Sequence, residues 1–283
     1  MSPIVDSHLH VWDESAAGKD PGPMRMHFSP QSPAPLELFR DYMDEAGVEK
    51  AVFVQPWFHH WDNGYIAAAR ERDPDRFRAV CVVDARGPEA GKALKAWHAR
   101  GVTGIRLRPY RGDEGPAGEP RLGSEATLPL WEAIAETGTI VCLLFQGTDL
   151  RRVPDLLRRF PGVRVVVDHL NNPVPAAGLG QPKFQALLDL APLPSVFVKI
   201  SGFHHWCRDR YPYRDGMPFI RAAIQAFGAG RCMWGSDFPH VLAGCGYIRN
   251  RNFLAREATF LSADDLDALM HRTAARLWFG EKA

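Results

Sequence analysis

Two histidines stand two residues apart in Ile4-Val5-Asp6-Ser7-His8-Leu9-His10, at the end of a short apolar run. Alternate residues of a strand point to the same side. A strand over 4–9 therefore sends His8 and His10 into one space, with Asp6 on the same side. Converging imidazoles can hold a metal ion or polarise a carbonyl. Alone, the pair could equally be two polar residues at a strand end.

Other residues strengthen the chemical reading. Asp237, in Trp234-Gly235-Ser236-Asp237-Phe238-Pro239, directly follows a buried apolar run. A carboxylate there is desolvated unless paired; it can bind a metal or act as a general base toward water. Capping the next segment is the competing role. Val167-Asp168-His169 ends another apolar run. Strand alternation turns Asp168 and His169 to opposite sides, and His169 is the one expected to face the site. Arg106 and Arg108 share a parity and suit an anionic substrate held through bidentate hydrogen bonds. A salt-bridged structural arginine is the alternative. His59, His60, His204, His205 and Trp206 lie in loops, where histidines are more often surface residues; only His204, close after an apolar run, is kept as a pocket candidate. Lys199 reads as structural or substrate-contacting.

The elements that must position these residues alternate along the whole chain. Strands are expected over 4–9, 51–54, 77–83, 102–107, 140–145, 163–167, 196–200 and 232–234, each followed by a helical pattern. Leu36, Phe39, Met43 and Ala46 show the helical spacing, with Gly47 as a stop. Ser262-Ala263-Asp264-Asp265 opens a last helix that runs to Trp278. Eight strand–helix repeats predict one (β/α)8 TIM barrel spanning residues 1–283, with long strand-to-helix loops. An open doubly wound sheet competes, but no glycine-rich phosphate loop follows the first strand. Helix-to-strand connections are short and strand-to-helix connections long. The elaborated face carries the site in such barrels. On it fall His8, His10, Gln55, Asp84, Arg106, Arg108, Gln146, His169, Lys199, Ser201 and Asp237.

Composition narrows the partners. The 283 residues carry a formal net charge of +1, so no basic footprint for nucleic acid or an acidic membrane is present. No apolar run suits a membrane span or a signal peptide. Five scattered cysteines without a CxxC predict reduced thiols and a cytoplasmic protein. The expected partner is a small-molecule substrate, with a homodimer left open.

Together, Asp6-Ser7-His8-Leu9-His10-Val11-Trp12-Asp13, Gly104-Ile105-Arg106-Leu107, Val167-Asp168-His169-Leu170, Lys199-Ile200-Ser201-Gly202 and Trp234-Gly235-Ser236-Asp237-Phe238-Pro239 resemble the amidohydrolase superfamily, in its lactonase-containing branch. Thr273-Ala274-Ala275-Arg276-Leu277-Trp278 is similar to that branch's C-terminal helix. The resemblance implies that His8, His10, His169 and Asp237 are metal ligands, or carbonyl-polarising groups around a water-activating Asp237. Such members open sugar-acid or dicarboxylate lactones. Phe145-Gln146 stands where many members have a lysine or histidine, which argues against a carbamate-bridged two-metal site. One divalent metal, zinc or manganese, or none, is what remains. Asp237 and His169 are then the expected catalytic pair, with Arg106, Arg108, Gln146 and His204 binding substrate. A metal-dependent non-oxidative decarboxylase of an aromatic or muconate-type acid is the alternative on the same residues.

Overall fold

A computed structural model of the chain describes residues 3–14, 32–85, 87–107, 122–144 and 149–281. Eight strands stand in sequence order in one parallel sheet: β1 (Val5–Leu9), β2 (Lys50–Val54), β3 (Phe77–Cys81), β4 (Gly104–Leu107), β5 (Ile140–Leu143), β6 (Val165–Val167), β7 (Val196–Ile200) and β8 (Cys232–Trp234). Helices alternate with them: α1 (Leu36–Ala46), α2 (Gly64–Glu71), α3 (Ala90–Ala99), α4 (Leu128–Thr137), α5 (Val153–Arg159), α6 (Pro182–Leu188), the single turn α7 (Phe203–Trp206) and α8 (Met217–Phe227). After β8 come α9 (His240–Gly244), α10 (Tyr247–Glu257) and α11 (Ala263–Asp267). The result is the TIM barrel that the repeat pattern predicts. The reading placed no helix where α9 and α10 stand; in α10, polar Arg and Asn residues mask the apolar stripe of Tyr247, Phe253 and Leu254.

The strands are Val- and Ile-rich because both of their faces are covered. One face packs inward: Val5, Val52, Val54, Val80, Ile140, Cys142, Val166, Phe197 and Met233 form a core inside the barrel. The other face packs on the helices, where Phe39 and Met43 of α1 and Phe219 and Ile220 of α8 are buried.

The C-terminal segment plugs the floor. Ser262 and Asp265 form the expected capping box at the start of α11. Beyond it the helix opens into wide π-type turns over Ala268–Arg272 and Ala275–Phe279, in place of the regular helix expected. These deliver Ala274, Ala275, Leu277 and Trp278 into the inner core. Gly104 makes room for the indole: a Cβ there would lie 2.9 Å from a Val80 methyl and 3.0 Å from Trp278.

The closure between β1 and β8 is made by the segments that carry the site. Asp237 N–H donates to His8 O at 2.8 Å, His10 N–H to Phe238 O at 2.7 Å, and the Ser7 hydroxyl to Trp234 O at 2.6 Å. β1 also carries an irregularity. Its register against β2 shifts between Asp6 and Leu9. That shift breaks the alternation on which Asp6 was expected to face the same space as His8 and His10. Asp6 instead accepts from Ser236 N–H at 2.9 Å and, through its other oxygen, from the Tyr247 hydroxyl of α10 at 2.9 Å. Among the described residues no helix is long and apolar enough to cross a membrane.

Candidate active site

Asp237 sits where β8 runs into its mouth loop, in a left-handed backbone conformation (φ 60°). The carboxylate is buried and ringed by imidazoles. Oδ1 lies 3.4 Å from His10 Nε2 and 3.7 Å from His8 Nε2; Oδ2 lies 3.3 Å from His204 Nε2 and 2.9 Å from His205 Nε2. Burial alone would raise its proton affinity. His169 and the bonds from His10, His204 and His205 overcome that and hold the carboxyl well below the usual carboxylate range.

His10 Nδ1 is 2.8 Å from the Val54 carbonyl, which can only accept, so Nδ1 carries a hydrogen and Nε2 is turned to the site. His8 is fully buried, and its Nε2 has no hydrogen-bond partner. Burial and the nearby Lys199 keep this ring neutral, well below the ordinary histidine value.

His169 reaches the site by an unexpected route. β6 stops at Val167, and Asp168–Asn171 form a tight turn in which His169 and Leu170 are left-handed (φ 51° and 54°). Strand alternation no longer applies, so Asp168 and His169 both point at the centre, contrary to the reading that only one could. His169 Nδ1 pairs with the Ser201 hydroxyl at 2.8 Å, and burial lowers the ring's pKa to about 3. Gly202 lies against the ring: a Cβ there would stand 2.6 Å from His169 Nδ1.

Asp168 is the site residue that the sequence reading set aside. Its Oδ1 is 3.0 Å from Lys199 Nζ and 3.4 Å from His8 Nδ1, and its Oδ2 accepts from Arg106 Nε at 3.0 Å. Burial pushes this carboxyl up, but the Lys199 ammonium and the Arg106 guanidinium reverse the effect and hold it well below its ordinary value. Arg106, read as half of an anion clamp, is thus first a partner of Asp168. Its companion Arg108 lies outside the described residues, as does Gln146. His204 is in the site as expected. His205 was read as a surface residue; α7 turns it onto Asp237 while leaving its side chain 29% exposed. His240, one turn beyond Asp237, is also buried beside the group, with its ring 5.4 Å from His10 and 5.5 Å from His205. A pattern of His three residues after a strand-end Asp was visible but not weighted.

The donor set fits a divalent cation. Ligand atoms of His8, His169 and Asp237 all lie within 4.8 Å of one another, and those of His204, His205 and Asp237 form a second such group. Ser201 occupies His169 Nδ1, leaving Nε2 for a ligand, and the unpartnered His8 Nε2 is buried beside it. His10 touches Asp237 but falls outside the first trio.

Known proteins resemble the chain over most of its length. The chain is 30% identical over 240 residues to 4-sulfomuconolactone hydrolase of Rhizobium radiobacter, covering 83% of this chain and 75% of that protein. It is 27% identical over 243 residues to L-fucono-1,5-lactonase of Burkholderia ambifaria, covering 83% and 80%. A Pseudomonas putida structure, given as a candidate 2-pyrone-4,6-dicarboxylic acid hydrolase, superposes with a TM-score of 0.83 at 29% identity over 99% of both chains. A family model described as amidohydrolase matches residues 5–280, from the first residue of β1 to the floor plug. With strand-end histidines, a β8 aspartate and a whole-chain match in hand, the chain belongs to the amidohydrolase family.

Proposed function

We propose that the chain is a lactonase, a hydrolase that opens the cyclic ester of a sugar-acid or dicarboxylate lactone. One observation carries the reading: Asp237, ionised and buried at the barrel mouth, is contacted by four imidazoles from two different segments, the end of β1 and α7. Relatives that hydrolyse sulfomuconolactone and fuconolactone support the substrate class.

In this reading Asp237 takes the proton of the attacking water. A carboxylate held so low is a weak base by itself, so its neighbours matter. His205, 2.9 Å from Oδ2 and partly exposed, passes the proton on to the leaving alkoxide or to solvent. His8 and His169 line the side on which the carbonyl oxygen gains charge, where preformed partners act most strongly. Arg108, Gln146 and His204 hold the substrate; Arg106 acts mainly by fixing Asp168. A divalent ion, zinc or manganese, held by His8, His169 and Asp237 beside His10, would act as a Lewis acid on the ring carbonyl.

The test offers the purified chain a panel of γ- and δ-lactones bearing carboxylates or hydroxyls, in weak buffer with a pH indicator. Metal content is measured on the same sample, before and after chelation. Acid release from at least one lactone is the expected result. Release of CO2 from a carboxylated substrate, with no lactone opened, would move the chain to the decarboxylases.

A further inference from the structure

We infer that Lys199 is a positioning residue that fixes the hydrogen of His8 on Nε2 in the metal-free site, making His8 a hydrogen-bond donor there and weakening it as a metal ligand. Lys199 projects from β7 into the barrel and is fully buried. An ammonium has three N–H donors and no acceptor. Three acceptors surround Nζ: Asp168 Oδ1 at 3.0 Å, His8 Nδ1 at 3.0 Å and Cys142 Sγ at 3.7 Å. The Trp278 ring lies 5.7 Å from Nζ, and Asp168 supplies the counter-charge. Every proton of the ammonium therefore has a place, provided that His8 Nδ1 offers a lone pair.

A neutral imidazole with a lone pair on Nδ1 carries its hydrogen on Nε2. His8 Nε2 is buried and unpartnered, and lies 3.7 Å from Asp237 Oδ1, beyond hydrogen-bond reach. His10 is fixed the other way by the Val54 carbonyl. The two β1 histidines thus differ at Nδ1: His10 carries a hydrogen there, and His8 a lone pair. For His8 to ligate a metal, its hydrogen must move to Nδ1 and face Asp168, 3.4 Å away, against the Lys199 ammonium. Lys199 consequently weakens metal binding at the trio of His8, His169 and Asp237 while supplying an oxyanion donor. This inference rests on the lactonase reading only for what His8 donates to; the tautomer stands apart from it.

The experiment is long-range ¹H–¹⁵N NMR of the wild-type chain, uniformly ¹⁵N-labelled and metal-free, with His8 assigned by its loss in His8→Gln. A His8 signal pattern with protonated Nε2 and bare Nδ1 is expected; protonated Nδ1 with bare Nε2 overturns the inference. No turnover enters this measurement, so its failure and a failure of lactone hydrolysis are separately visible. Equilibrium dialysis against zinc supplies a second readout. Lys199→Met frees His8 to donate to Asp168, and zinc should bind about 10-fold more tightly, the low end of the effect of outer partners on a ligating histidine. A folded Lys199→Met chain with equal or weaker zinc affinity would contradict the inference. Should that variant fail to fold, the wild-type spectrum decides.

Discussion

At the floor of the barrel, Val5, Val52, Val80, Ile140 and Phe197 meet Ala274, Leu277 and Trp278 in an apolar core that follows strand alternation. At the mouth, a few ångströms further along the same strands, the alternation fails. β1 shifts register between Asp6 and Leu9, β6 ends early, and buried charges replace valines. Among the described residues, the non-glycine residues with left-handed backbones are His60, His169, Leu170, Asn171, Asn172, Tyr213 and Asp237, and all lie on connections from a strand's C-terminal end. Such conformations cost about 1–3 kcal/mol each and persist where surroundings enforce them. The floor supplies packing that the mouth then uses to hold strained, desolvated groups.

If that division is right, changes at the two ends should separate stability from turnover. Asp237→Asn keeps the shape but removes the negative charge. Turnover should fall by about 10³-fold, within the range for lost acid–base catalysis, while the variant stays folded and gives up only the part of its melting temperature that the ionised carboxylate supplies; steady-state kinetics beside a thermal melt checks both. Trp278→Ala should do the reverse. It empties part of the floor and should lose about 3–5 kcal/mol in urea unfolding, while the folded fraction retains wild-type kcat. A large kcat loss in Trp278→Ala would erase the distinction between the two ends.

Gly202→Ala sharpens the comparison because it strains the mouth only. The backbone there has φ 68°, and the new methyl would press on His169 Nδ1. Displacing that ring by about 1 Å should reduce kcat roughly 10²-fold. Gly138→Ala, at a similar φ of 67° but with open space around it, should lose only about 1 kcal/mol and leave kinetics unchanged.

Acid should act through the mouth as well. Burial lowers His169 from 6.5 to about 3, so the unfolded chain takes up that proton first as pH falls. The stability from a neutral His169 is complete above pH 6.5 and drains away toward pH 3. Asp168 and Asp237, held below 3.8, lose their contributions lower still, as pH falls through their folded values. Asp6, raised to about 6 by burial, opposes this between 3.8 and 6. The melting temperature should therefore decline as pH drops below 6.5, and His169→Gln should flatten the upper part of that decline.

The same division explains what was legible in the sequence. Strand and helix periodicity, the cap at Ser262 and the elaborated mouth all come from local pattern, and the barrel follows from them. His8, His10, His169, His204 and Asp237 were readable because polar residues at the ends of buried strands have few other reasons to be there. Asp168 and Asp6 were misplaced because parity was carried past the point where the strands bend. His205 and His240 belong to short mouth helices whose direction is set by packing against distant segments, and no period in the chain encodes that.

The most direct test of the lactonase account is hydrolysis of a responsive lactone in ¹⁸O-water, with the product analysed by mass spectrometry and the headspace by CO2 detection. The account predicts one heavy oxygen in the new carboxylate of the product, one proton released per turnover and no CO2. Loss of CO2 from a carboxylated substrate, or no ring opened across the panel by the folded wild-type chain, would contradict it.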